Sequence, residues 1–486
     1  MWPELQYRYY YEHSPEQLMA AFIVAAASVT ASSIAWPDPD VFKPEHYSHG
    51  LSTPSLHITA SVDSTSWLYE VPGRMLMHAR RRLLHPRAAQ PPTQTIEAVE
   101  ANPVAKRAAL LVYDVFTPGE NGIKAFRIPG ILAVPLSPSS TALLAYAEGR
   151  VEGCGDFDGT HTIVLKRSVD GGRTWGKLQT LLDPSELLGA HMCPRVKHAG
   201  CEFWDPTAVY DAEAGQVHLL TALSTSANGR MTGRMSLYVM SSLDGGVSWG
   251  APRNITSSVV GPYDDDTSII TPGNGHATQL ASGRLLVAGY RRPAGDASEH
   301  CSTIASDDHG RTWFLQPAHG MTGNGTSECE VVEVGEASVR RVYMDERVNG
   351  EEQQRRGGCG GGIRSCRWHT ESADGGKTWT APTPAPMLVD PSNAAGIAKW
   401  HTRSSVALLF SNTASQSARA NITLRVSFDA GKTWPWSELV SGPGGYSDVQ
   451  LLPGSDGASD HAAVLYEKDT CKGIAVGIVE LPADVA

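Results

Sequence analysis

The sequence predicts an all-β fold of the β-propeller class, because one short motif recurs five times and an apolar stretch of strand length precedes most of its copies. The motif reads Ser-x-Asp-x-Gly-x-(Thr/Ser)-Trp. Its copies, whose first residues are 74, 64, 66 and 55 positions apart, are Ser168–Trp175, Ser242–Trp249, Ser306–Trp313, Ser372–Trp379 and Ser427–Trp434. The apolar stretches are Thr162–Leu165, Ser236–Met240, Cys301–Ile304 and Ile422–Val426. Short strands at this spacing are typical of propeller blades.

Each copy of the motif has the chemistry of a tight turn. In the first copy, the Asp170 carboxylate can accept hydrogen bonds from backbone N–H groups of its own turn, and Gly172 supplies a positive φ at no steric cost. The closing Trp175 is then placed to bury its ring and anchor the hairpin. We therefore expect these turns to stabilise the blades at the rim and to have no catalytic role.

Charge and composition argue against a general nucleic-acid-binding role. The 486 residues carry a formal net charge of −11, and 41% hydrophobic with 19% charged residues is an ordinary globular balance. An anionic substrate would therefore need a local cluster of arginines. The eight cysteines permit disulfides without requiring them, and the close pairs, Cys193 with Cys201 and Cys359 with Cys366, lack metal-ligand spacing.

The first 105 residues contain no copy of the motif and are predicted to be an N-terminal targeting or linker region, with the propeller domain spanning 106–486. Residues 18–35 form an apolar run of signal-peptide length, and Ser33-Ile34-Ala35 resembles a small-residue cleavage site. Arg8 is the only cation before that run, which is unusual for a signal peptide. A cleaved signal, a membrane anchor, and a buried or disordered segment therefore all stay open.

From residue 110 onward, several motifs carry a family resemblance. Phe126-Arg127-Ile128-Pro129 ends a first strand, and Leu143–Arg150 reads LLAYAEGR. With the five repeats, which resemble Asp boxes, these motifs resemble the sialidase superfamily over about residues 110–479. The last third is most similar to animal lysosomal-type sialidases, in Asn421-Ile-Thr-Leu-Arg, Gly442-Pro-Gly-Gly-Tyr446-Ser and Leu465-Tyr-Glu467-Lys. The resemblance implies a six-bladed propeller and an exo-sialidase activity, the hydrolysis of terminal α-linked sialic acids.

A sialic acid carries a carboxylate on its anomeric carbon. Arginine suits that anion, because its planar and permanently charged fork binds a carboxylate bidentately. The resemblance places a substrate-binding triad on Arg127, Arg347 and Arg419. Arg127 belongs to the Arg-Ile-Pro motif, and Arg347 follows a strand-like stretch. The competing positions are Arg340, Arg341 and Arg425.

The nucleophile is expected to be neutral, because a carboxylate nucleophile would be repelled by the carboxylate of the substrate. Sialidases use tyrosine, and Tyr446 matches the family position after two glycines. A phenol with a pKa of about 10 needs a base, and the resemblance assigns that role to Glu328. In a strand, Glu328 and Glu330 would share a face, so their spacing does not choose between them. The Glu-Cys pair at 328–329 favours Glu328.

The general acid is expected in the loop Val151–Gly159, whose glycines allow movement. Asp156 fits the family position, and Asp158 is the alternative. Cys154 lies two residues before Asp156, and a disulfide there would restrict the loop.

The resemblance implies roles for three further residues. Glu467 is expected to orient the first arginine of the triad, and Arg150 and Glu148 are expected to line the floor of the pocket near the substituents of the sugar ring. Asn274-Gly-His276 and Trp204-Asp205 are unranked candidates for sugar contacts. Residues 349–362 are rich in Glu, Gln, Arg and Gly, which predicts an inserted flexible loop.

Together these expectations describe a retaining exo-sialidase that acts through a tyrosyl-enzyme intermediate and needs no metal or organic cofactor. Its expected partners are sialylated glycans on glycoproteins, gangliosides and oligosaccharides. Nucleic acid is not expected, membrane association stays open, and a secreted or lysosomal location is favoured. The alternatives are a trans-sialidase, a hydrolase of deaminated nonulosonic acids, and a propeller that binds sialoglycans without catalysis.

Overall fold

The computed structural model describes residues 66–71, 75–80, 110–261, 269–293, 298–316, 325–335, 340–402, 405–454 and 459–482. The chain divides into two units, Met1–Glu100 and Ala101–Ala486. In the first unit, the described residues are two antiparallel strands, β1 (Ser66–Val71) and β2 (Met75–Arg80). The apolar run 18–35 lies outside the described residues. Within the described ranges, no helix has both the length and the apolar character that a membrane crossing requires.

The first described strand of the second unit is β3 (Leu110–Phe116), and a sheet of eight strands follows it in the chain. These are β4 (Ala125–Ser137), β5 (Ser140–Arg150), β6 (His161–Ser168), β7 (Gln179–Leu182), β8 (Gly200–Asp211), β9 (Gln216–Ala227), β10 (Arg230–Ser242) and β11 (Arg253–Asn254). Their order is β11-β10-β9-β8-β6-β5-β4, and β7 also pairs with β6. Neighbouring strands are antiparallel except β6 and β8, which share the single parallel pair of His161 with Glu202.

Four further sheets complete the described part of the second unit. The first comprises β12 (Ile269–Pro272), β13 (Thr278–Gln279), β14 (Leu285–Arg292), β15 (His300–Ser306) and β16 (Phe314–Leu315). The next two comprise β17 (Thr326–Val334), β18 (Arg341–Val348), β19 (Cys366–Ser372) and β20 (Thr383–Val389), and then β21 (Gly396–His401), β22 (Val406–Thr413), β23 (Ala420–Ser427) and β24 (Trp436–Pro443). The last comprises β25 (Ser447–Leu452), β26 (His461–Glu467) and β27 (Ile474–Glu480), which pairs with β3.

The sheets are arranged around a centre. The opening strands contact their neighbours in turn, β4 with β8, β8 with β12, β17 with β21, β21 with β25, and β25 back to β4. Buried apolar side chains fill the space between neighbouring sheets, as where Phe126 and Leu143 pack with Leu465 and Val476. The predicted all-β fold is therefore confirmed, and its sheets have a propeller-like arrangement.

The five repeated motifs are turns that follow β6, β10, β15, β19 and β23. In the first copy the Ser168 hydroxyl accepts a hydrogen bond from Gly172 N at 3.0 Å, and Asp170 Oδ1 accepts one from Thr174 N at 2.9 Å. The other four copies repeat both bonds within 2.8–2.9 Å. Gly172 has a φ of 84°, which explains why glycine stands at that place in the turn.

Helices are few and short in the described residues: α1 (Pro184–Leu188), α2 (Thr256–Val259) and α3 (Gly350–Arg355), besides a 3-10 turn at Glu120–Gly122. The expected flexible loop at 349–362 is wrong for its first half, which forms α3. Asn349 caps this helix by accepting a hydrogen bond from Glu352 N at 2.9 Å, a local signal that composition alone hides. A disulfide between Cys359 and Cys366 ties the second half to β19.

Two more disulfides are formed. Cys193 pairs with Cys201, and Cys154 pairs with Cys471, 317 residues further along the chain. Both close cysteine pairs of the sequence are therefore disulfides.

Candidate active site

A shift of strand register, a β-bulge, occurs in each of the strands β4, β8 and β17. The register of β4 shifts between Arg127 and Gly130, that of β8 between Trp204 and Thr207, and that of β17 between Ser327 and Glu330. Within these β-bulges Ile128, Asp205 and Glu328 have φ values of 56°, 49° and 44°. A positive φ is costly for residues with a side chain, and such strain clusters at functional sites. Each bulge breaks the alternation of its strand, so the side chains in it point in directions that a regular strand would not give them.

The bulge in β17 brings Glu328 against Tyr446, which lies just before β25. The Tyr446 hydroxyl donates a hydrogen bond to Glu328 Oε1 at 2.5 Å, and Arg347 Nη1 donates to the same hydroxyl at 2.9 Å. Arg347 also forms an ion pair with Glu328 and a hydrogen bond of 3.1 Å to Ser392 Oγ. Tyr446 is thus the shared partner of a carboxylate and a guanidinium. The carboxylate of Glu330, the other candidate base, contacts His276 and Ile397 N instead.

Arg127 and Arg419 flank the same tyrosine. Their guanidinium carbons lie 5.3 Å and 5.0 Å from the centre of the Tyr446 ring, within the range of cation–π contacts. With Arg347, all three predicted arginines therefore surround Tyr446. The competitors are engaged elsewhere or lie away from it: Arg341 pairs with Glu371, Arg425 donates to Asn412, and Arg340 lies at an exposed edge beside Arg341.

Glu467 forms hydrogen bonds with the side chain of Arg127 and with two backbone N–H groups, those of Ile128 and Tyr446. Its carboxylate accepts from Arg127 Nε at 3.0 Å, from Ile128 N at 3.1 Å and from Tyr446 N at 3.2 Å. Burial would raise the pKa of Glu467, but the charges of Arg127 and Arg419 outweigh it and lower that pKa. Glu467 therefore stays ionised and connects the first arginine to the backbone of Tyr446.

The pKa of the Tyr446 phenol is raised, because burial and the charge of Glu328 disfavour the phenolate more than the three arginines favour it. The phenol is therefore protonated at neutral pH. A protonated phenol is a weak nucleophile unless a base removes its proton as it reacts. Glu328 Oε1 is at the distance that such a proton transfer requires.

Asp156 lies on the loop between β5 and β6 and faces two arginines. Its Oδ1 atom is 2.9 Å from Arg150 Nη1 and 3.7 Å from Arg127 Nη1, while the side chain remains 58% exposed. Burial raises the pKa of Asp156, but Arg150 and Arg127 outweigh it and lower that pKa. Asp158 instead accepts a hydrogen bond from Gly155 N at 3.1 Å and lies 3.6 Å from His198 Nδ1.

Arg150 and Glu148 lie beneath this loop. Their side chains are 1% and 0% exposed, and Glu148 Oε2 accepts from Arg150 Nη2 at 2.8 Å. Burial raises the pKa of Glu148 against the opposing charge of Arg150. In this structure Glu148 supports Arg150, which in turn holds Asp156. A direct contact of Glu148 with substrate stays a prediction.

Asp205 is a residue that sequence reasoning left unranked. Its carboxylate accepts from Tyr290 Oη at 2.8 Å and from Asn274 Nδ2 at 2.9 Å, and its N–H donates to Glu148 Oε1 at 3.1 Å. Burial and the neighbouring charge of Glu148 raise its pKa well above the ordinary value. One sequence signal could have pointed to it: Ile128 and Asp205, the bulged residues of β4 and β8, both precede a proline.

A second buried cluster, of His276, Glu330 and Asp448, joins three sheets behind the tyrosine. Their ligand-type atoms lie within 4.8 Å of one another, as in many metal sites. The carboxylate oxygens, however, already accept backbone hydrogen bonds, two at Glu330 from His276 N and Ile397 N and two at Asp448 from Ile131 N and Val449 N. His276 Nδ1 lies 2.7 Å from Glu330 and 2.9 Å from Asp448. The donor set fits a shared proton better than a metal ion.

This cluster makes stability depend on pH. Burial and the charge of Asp448 raise the pKa of Glu330 from 4.5 to about 8, and the two carboxylates outweigh burial and raise the pKa of His276. Both groups hold protons in the folded state that the unfolded chain releases. Their stabilising contribution is therefore complete at acidic pH and is lost as pH rises through the folded pKa values.

Replacing Glu330 by Gln removes one of these titrations. Between pH 5 and pH 8 the Tm of the Glu330→Gln variant is expected to fall less than the Tm of wild type, by about 2 °C or more. Thermal melting followed by circular dichroism over that pH range measures the difference. Parallel curves for the two proteins would contradict the assignment.

Comparison with known proteins identifies relatives of this chain. Residues 141–458 match the BNR repeat-like domain family. A sialidase of Micromonospora viridifaciens is 31% identical over 376 residues, which cover 74% of this chain and 52% of that protein. Human Sialidase-4 is 33% identical over 44% of this chain and 44% of its own length, and mouse Sialidase-3 is 28% identical over 70% of this chain and 88% of its own. The chain thus spans about half the length of the first two relatives.

Solved structures share the fold. Hadza microbial sialidase Hz136 superposes with a TM-score of 0.64 at 24% identity, over 76% of this chain and 68% of the other. The intramolecular trans-sialidase from Ruminococcus gnavus gives 0.60 at 16% identity, over 76% and 97%. At such identities the likeness bears on the fold alone. Fold, repeats and sequence relatives define a BNR-repeat propeller-like protein. The chain belongs to the sialidase superfamily.

Proposed function

We propose that this protein is an exo-sialidase, which releases terminal α-linked sialic acids from glycoconjugates with retention of configuration. One observation carries the proposal: the Tyr446 hydroxyl lies 2.5 Å from Glu328 Oε1, and three arginines from separate sheets surround the same side chain. A tyrosine paired with a base and enclosed by cations fits an anionic sugar. The sialidase relatives support the same class of substrate.

The three arginines are proposed to bind the substrate carboxylate. Arg127, Arg347 and Arg419 present their donors around Tyr446, and each guanidinium can form paired hydrogen bonds with a carboxylate. Glu467 and Glu328 orient two of them in the absence of substrate. Because the nucleophile is a neutral phenol, it can approach the anomeric carbon beside that carboxylate without repulsion between like charges.

The chemistry then runs in two steps. Glu328 takes the phenol proton as Tyr446 Oη bonds to the anomeric carbon, and Asp156 donates a proton to the departing glycosidic oxygen. In the second step Asp156 accepts a proton from water and the water oxygen bonds to the anomeric carbon as the bond from that carbon to Tyr446 Oη breaks. The Tyr446 oxygen then recovers its proton from Glu328. Two inversions at one carbon amount to retention.

Asp156 must be protonated for the first step, although the arginines lower its pKa when the site is empty. A bound substrate carboxylate would partly neutralise Arg127, which is 3.7 Å from Asp156, and place a second negative charge nearby. Both effects raise the pKa of Asp156. Substrate binding is therefore proposed to prepare the general acid.

We further infer six blades. The eight-stranded sheet is held at its middle by one residue pair, His161 with Glu202, and each of its halves carries one Asp box. Read as two blades, this sheet joins the four others to make six. The propeller domain is proposed to span 106–486, after a region 1–105 of separate role. Three disulfides support an oxidising, secretory compartment, either secreted or lysosomal.

The decisive test is turnover of an α-2,3-sialyllactose substrate by wild-type protein, followed by proton NMR at pH 4–8. Release of the α-anomer of sialic acid as the first product supports a retaining exo-sialidase. Sialic acid appearing instead on an added sugar acceptor would indicate a trans-sialidase. A folded protein that binds sialyllactose without product would indicate a binding module. A deaminated substrate, tested in parallel, checks the remaining alternative.

The assignment of the acid can be tested by leaving group. Asp156→Ala is expected to lower kcat/KM for sialyllactose about 100-fold or more, but to lower it far less for a sialoside of an acidic phenol, which departs without a proton. Steady-state kinetics on both substrates measures the ratio.

Asp158→Ala is the matched control on the same loop. We expect it to lose less activity and to affect both substrates equally, because Asp158 supports the loop backbone at Gly155, whereas Asp156 contacts the arginines. A selective loss with Asp158→Ala, and none with Asp156→Ala, would exchange the two assignments.

A further inference from the structure

The disulfide between Cys154 and Cys471 joins the loop that carries Asp156 to a turn of another sheet. Cys154 lies between β5 and β6, and Cys471 lies between β26 and β27, with their Cα atoms 5.9 Å apart. The other two disulfides of the described residues close segments with separations of 8 and 7 residues. Of these three, the Cys154–Cys471 bond is the one that crosses from the first strands of the second unit to its last.

The rest of the loop is held by contacts within itself and by noncovalent contacts with its surroundings. Gly155 N donates to Asp158 Oδ2 at 3.1 Å, and Thr160 N donates to Glu152 Oε2 at 2.6 Å. Its outward contacts include hydrogen bonds from Arg150 Nη1 to Cys154 O at 2.5 Å and from Lys124 Nζ to Glu152 O at 3.1 Å, besides a ring contact of Phe157 at 5.6 Å from Trp204. All of these contacts are noncovalent, and the disulfide is the covalent link between this loop and another sheet.

Asp156 itself is held by charge, through Arg150 at 2.9 Å and Arg127 at 3.7 Å. The acid that catalysis needs is the protonated form, and a neutral carboxyl loses most of its attraction to both arginines. The covalent link at Cys154, two residues away, does not depend on that charge. It therefore persists in the protonation state in which the ion pairs weaken.

Cys471 provides a fixed anchor. Its turn is closed by hydrogen bonds from Lys468 N to Gly473 O at 3.0 Å and from Lys472 N to Asp469 O at 3.1 Å. The turn follows directly after Glu467, the carboxylate that binds both Arg127 and the backbone N–H of Tyr446. The disulfide thus ties the loop that carries Asp156 to the end of β26. At that end, Glu467 contacts the backbone N–H of Tyr446.

We propose that the Cys154–Cys471 disulfide positions Asp156 for proton donation, which makes these two cysteines positioning residues of the reaction. The inference rests on the proposed exo-sialidase function. Without the link, the glycines at 153, 155 and 159 leave the loop free to carry Asp156 away from the glycosidic oxygen. A misplacement of about 1 Å can cost up to about 100-fold in rate.

The test is the Cys154→Ser/Cys471→Ser double variant, assayed on sialyllactose and on a sialoside of an acidic phenol. We expect kcat on sialyllactose to fall about 10-fold to 100-fold, with little change in KM. The sialoside of the acidic phenol should be turned over nearly as fast as by wild type. An equal loss on both substrates, or no loss on either, would overturn the proposal. The Cys359→Ser/Cys366→Ser variant is the control, because that disulfide touches neither the loop nor the Cys471 turn.

A double-mutant cycle separates positioning from mere stabilisation. In an Asp156→Ala background, loss of the disulfide is expected to cost nothing more on sialyllactose, since the residue it positions is absent. A full additional loss there would show that the disulfide acts through something else.

Mild reduction of folded wild type gives an independent route if the variant does not fold. Cys154 and Cys471 are partly exposed, whereas the four other paired cysteines are buried, so a water-soluble dithiol should open this bond first. The disulfide becomes two thiols, and the dithiol becomes its cyclic disulfide. Alkylation and mass spectrometry identify the thiols, and reoxidation is expected to restore activity. Selective opening without a kinetic change would also overturn the proposal.

Failure of the inference and failure of the proposed function differ in outcome. Wild type that turns over both substrates, with variants that match it, rejects only the role of the disulfide. Wild type that turns over neither rejects the proposed function, and the positioning role with it.

Discussion

Replacing Tyr446 by Phe is expected to lower kcat on the order of 10³-fold or more, both for a sialoside of an acidic phenol and for sialyllactose. The change removes one oxygen, which carries the hydrogen bond to Glu328 at 2.5 Å and the one from Arg347 at 2.9 Å. The ring itself stays between Arg127 and Arg419. Folding should therefore persist, and the loss should be independent of the leaving group, because the nucleophile serves every substrate. Steady-state kinetics, with thermal melting as a check of folding, measures both effects.

Tyr466→Phe is the matched control, since Tyr466 is also buried but packs in the apolar core between the sheets of β21–β24 and β25–β27. It should retain nearly wild-type kinetics. Activity that survives in Tyr446→Phe at the level of Tyr466→Phe would remove Tyr446 from the role of nucleophile. The mechanism would then need another acceptor for the sugar.

Replacing Arg127 by Ala is expected to weaken substrate binding about 10-fold to 100-fold. The expected loss corresponds to about 1.5–3 kcal/mol for a charged hydrogen-bonding pair. Arg127 is one of the three cations around Tyr446, and its fork faces the space where the substrate carboxylate is proposed to lie. Titration with sialic acid, together with the KM for the sialoside of an acidic phenol, measures the effect.

Two controls make this result specific. Arg127→Ala leaves Glu467 buried without its arginine, so the Arg127→Ala/Glu467→Gln variant tests how much of the loss comes from that unpaired charge. Arg425→Ala removes an arginine of β23 that donates to Asn412 and does not face the tyrosine. If Arg127→Ala and Arg425→Ala bind sialic acid equally well, Arg127 does not bind the carboxylate.

The base shows where reasoning from sequence stopped. A regular strand alternates its side chains, so Glu328 and Glu330 would point to one face, and spacing could not separate them. The β-bulge between Ser327 and Glu330 breaks that alternation. It turns Glu328 to Tyr446 and leaves Glu330 with His276 and Ile397. A proline follows the bulged residues Ile128 and Asp205 but not Glu328, so the local sequence does not mark this bulge.

The arginines were easier to anticipate than the buried polar residues that pack around the site. Arg127, Arg347 and Arg419 stand in recognisable motifs, but their convergence spans more than 290 residues of chain between the first and the last. Asp205 and His276 have no comparable motif, and their importance lies in contacts made across sheets. Such residues become visible only when the strands that carry them are placed side by side.

The sequence by itself determined the architecture and the chemical inventory. Five turn motifs set the repeat, since each depends on hydrogen bonds within eight residues. The same sequence supplied a tyrosine, candidate carboxylates and arginines of the right types. Tertiary structure alone decided how they meet: the bulge that turns Glu328 to Tyr446, the contacts of Asp205 across sheets, and the pairing of Cys154 with Cys471 across 317 residues. The reason is physical, because turns are closed by neighbours in the chain, whereas a site at the centre of the sheets is assembled from residues that only the packing of those sheets brings together.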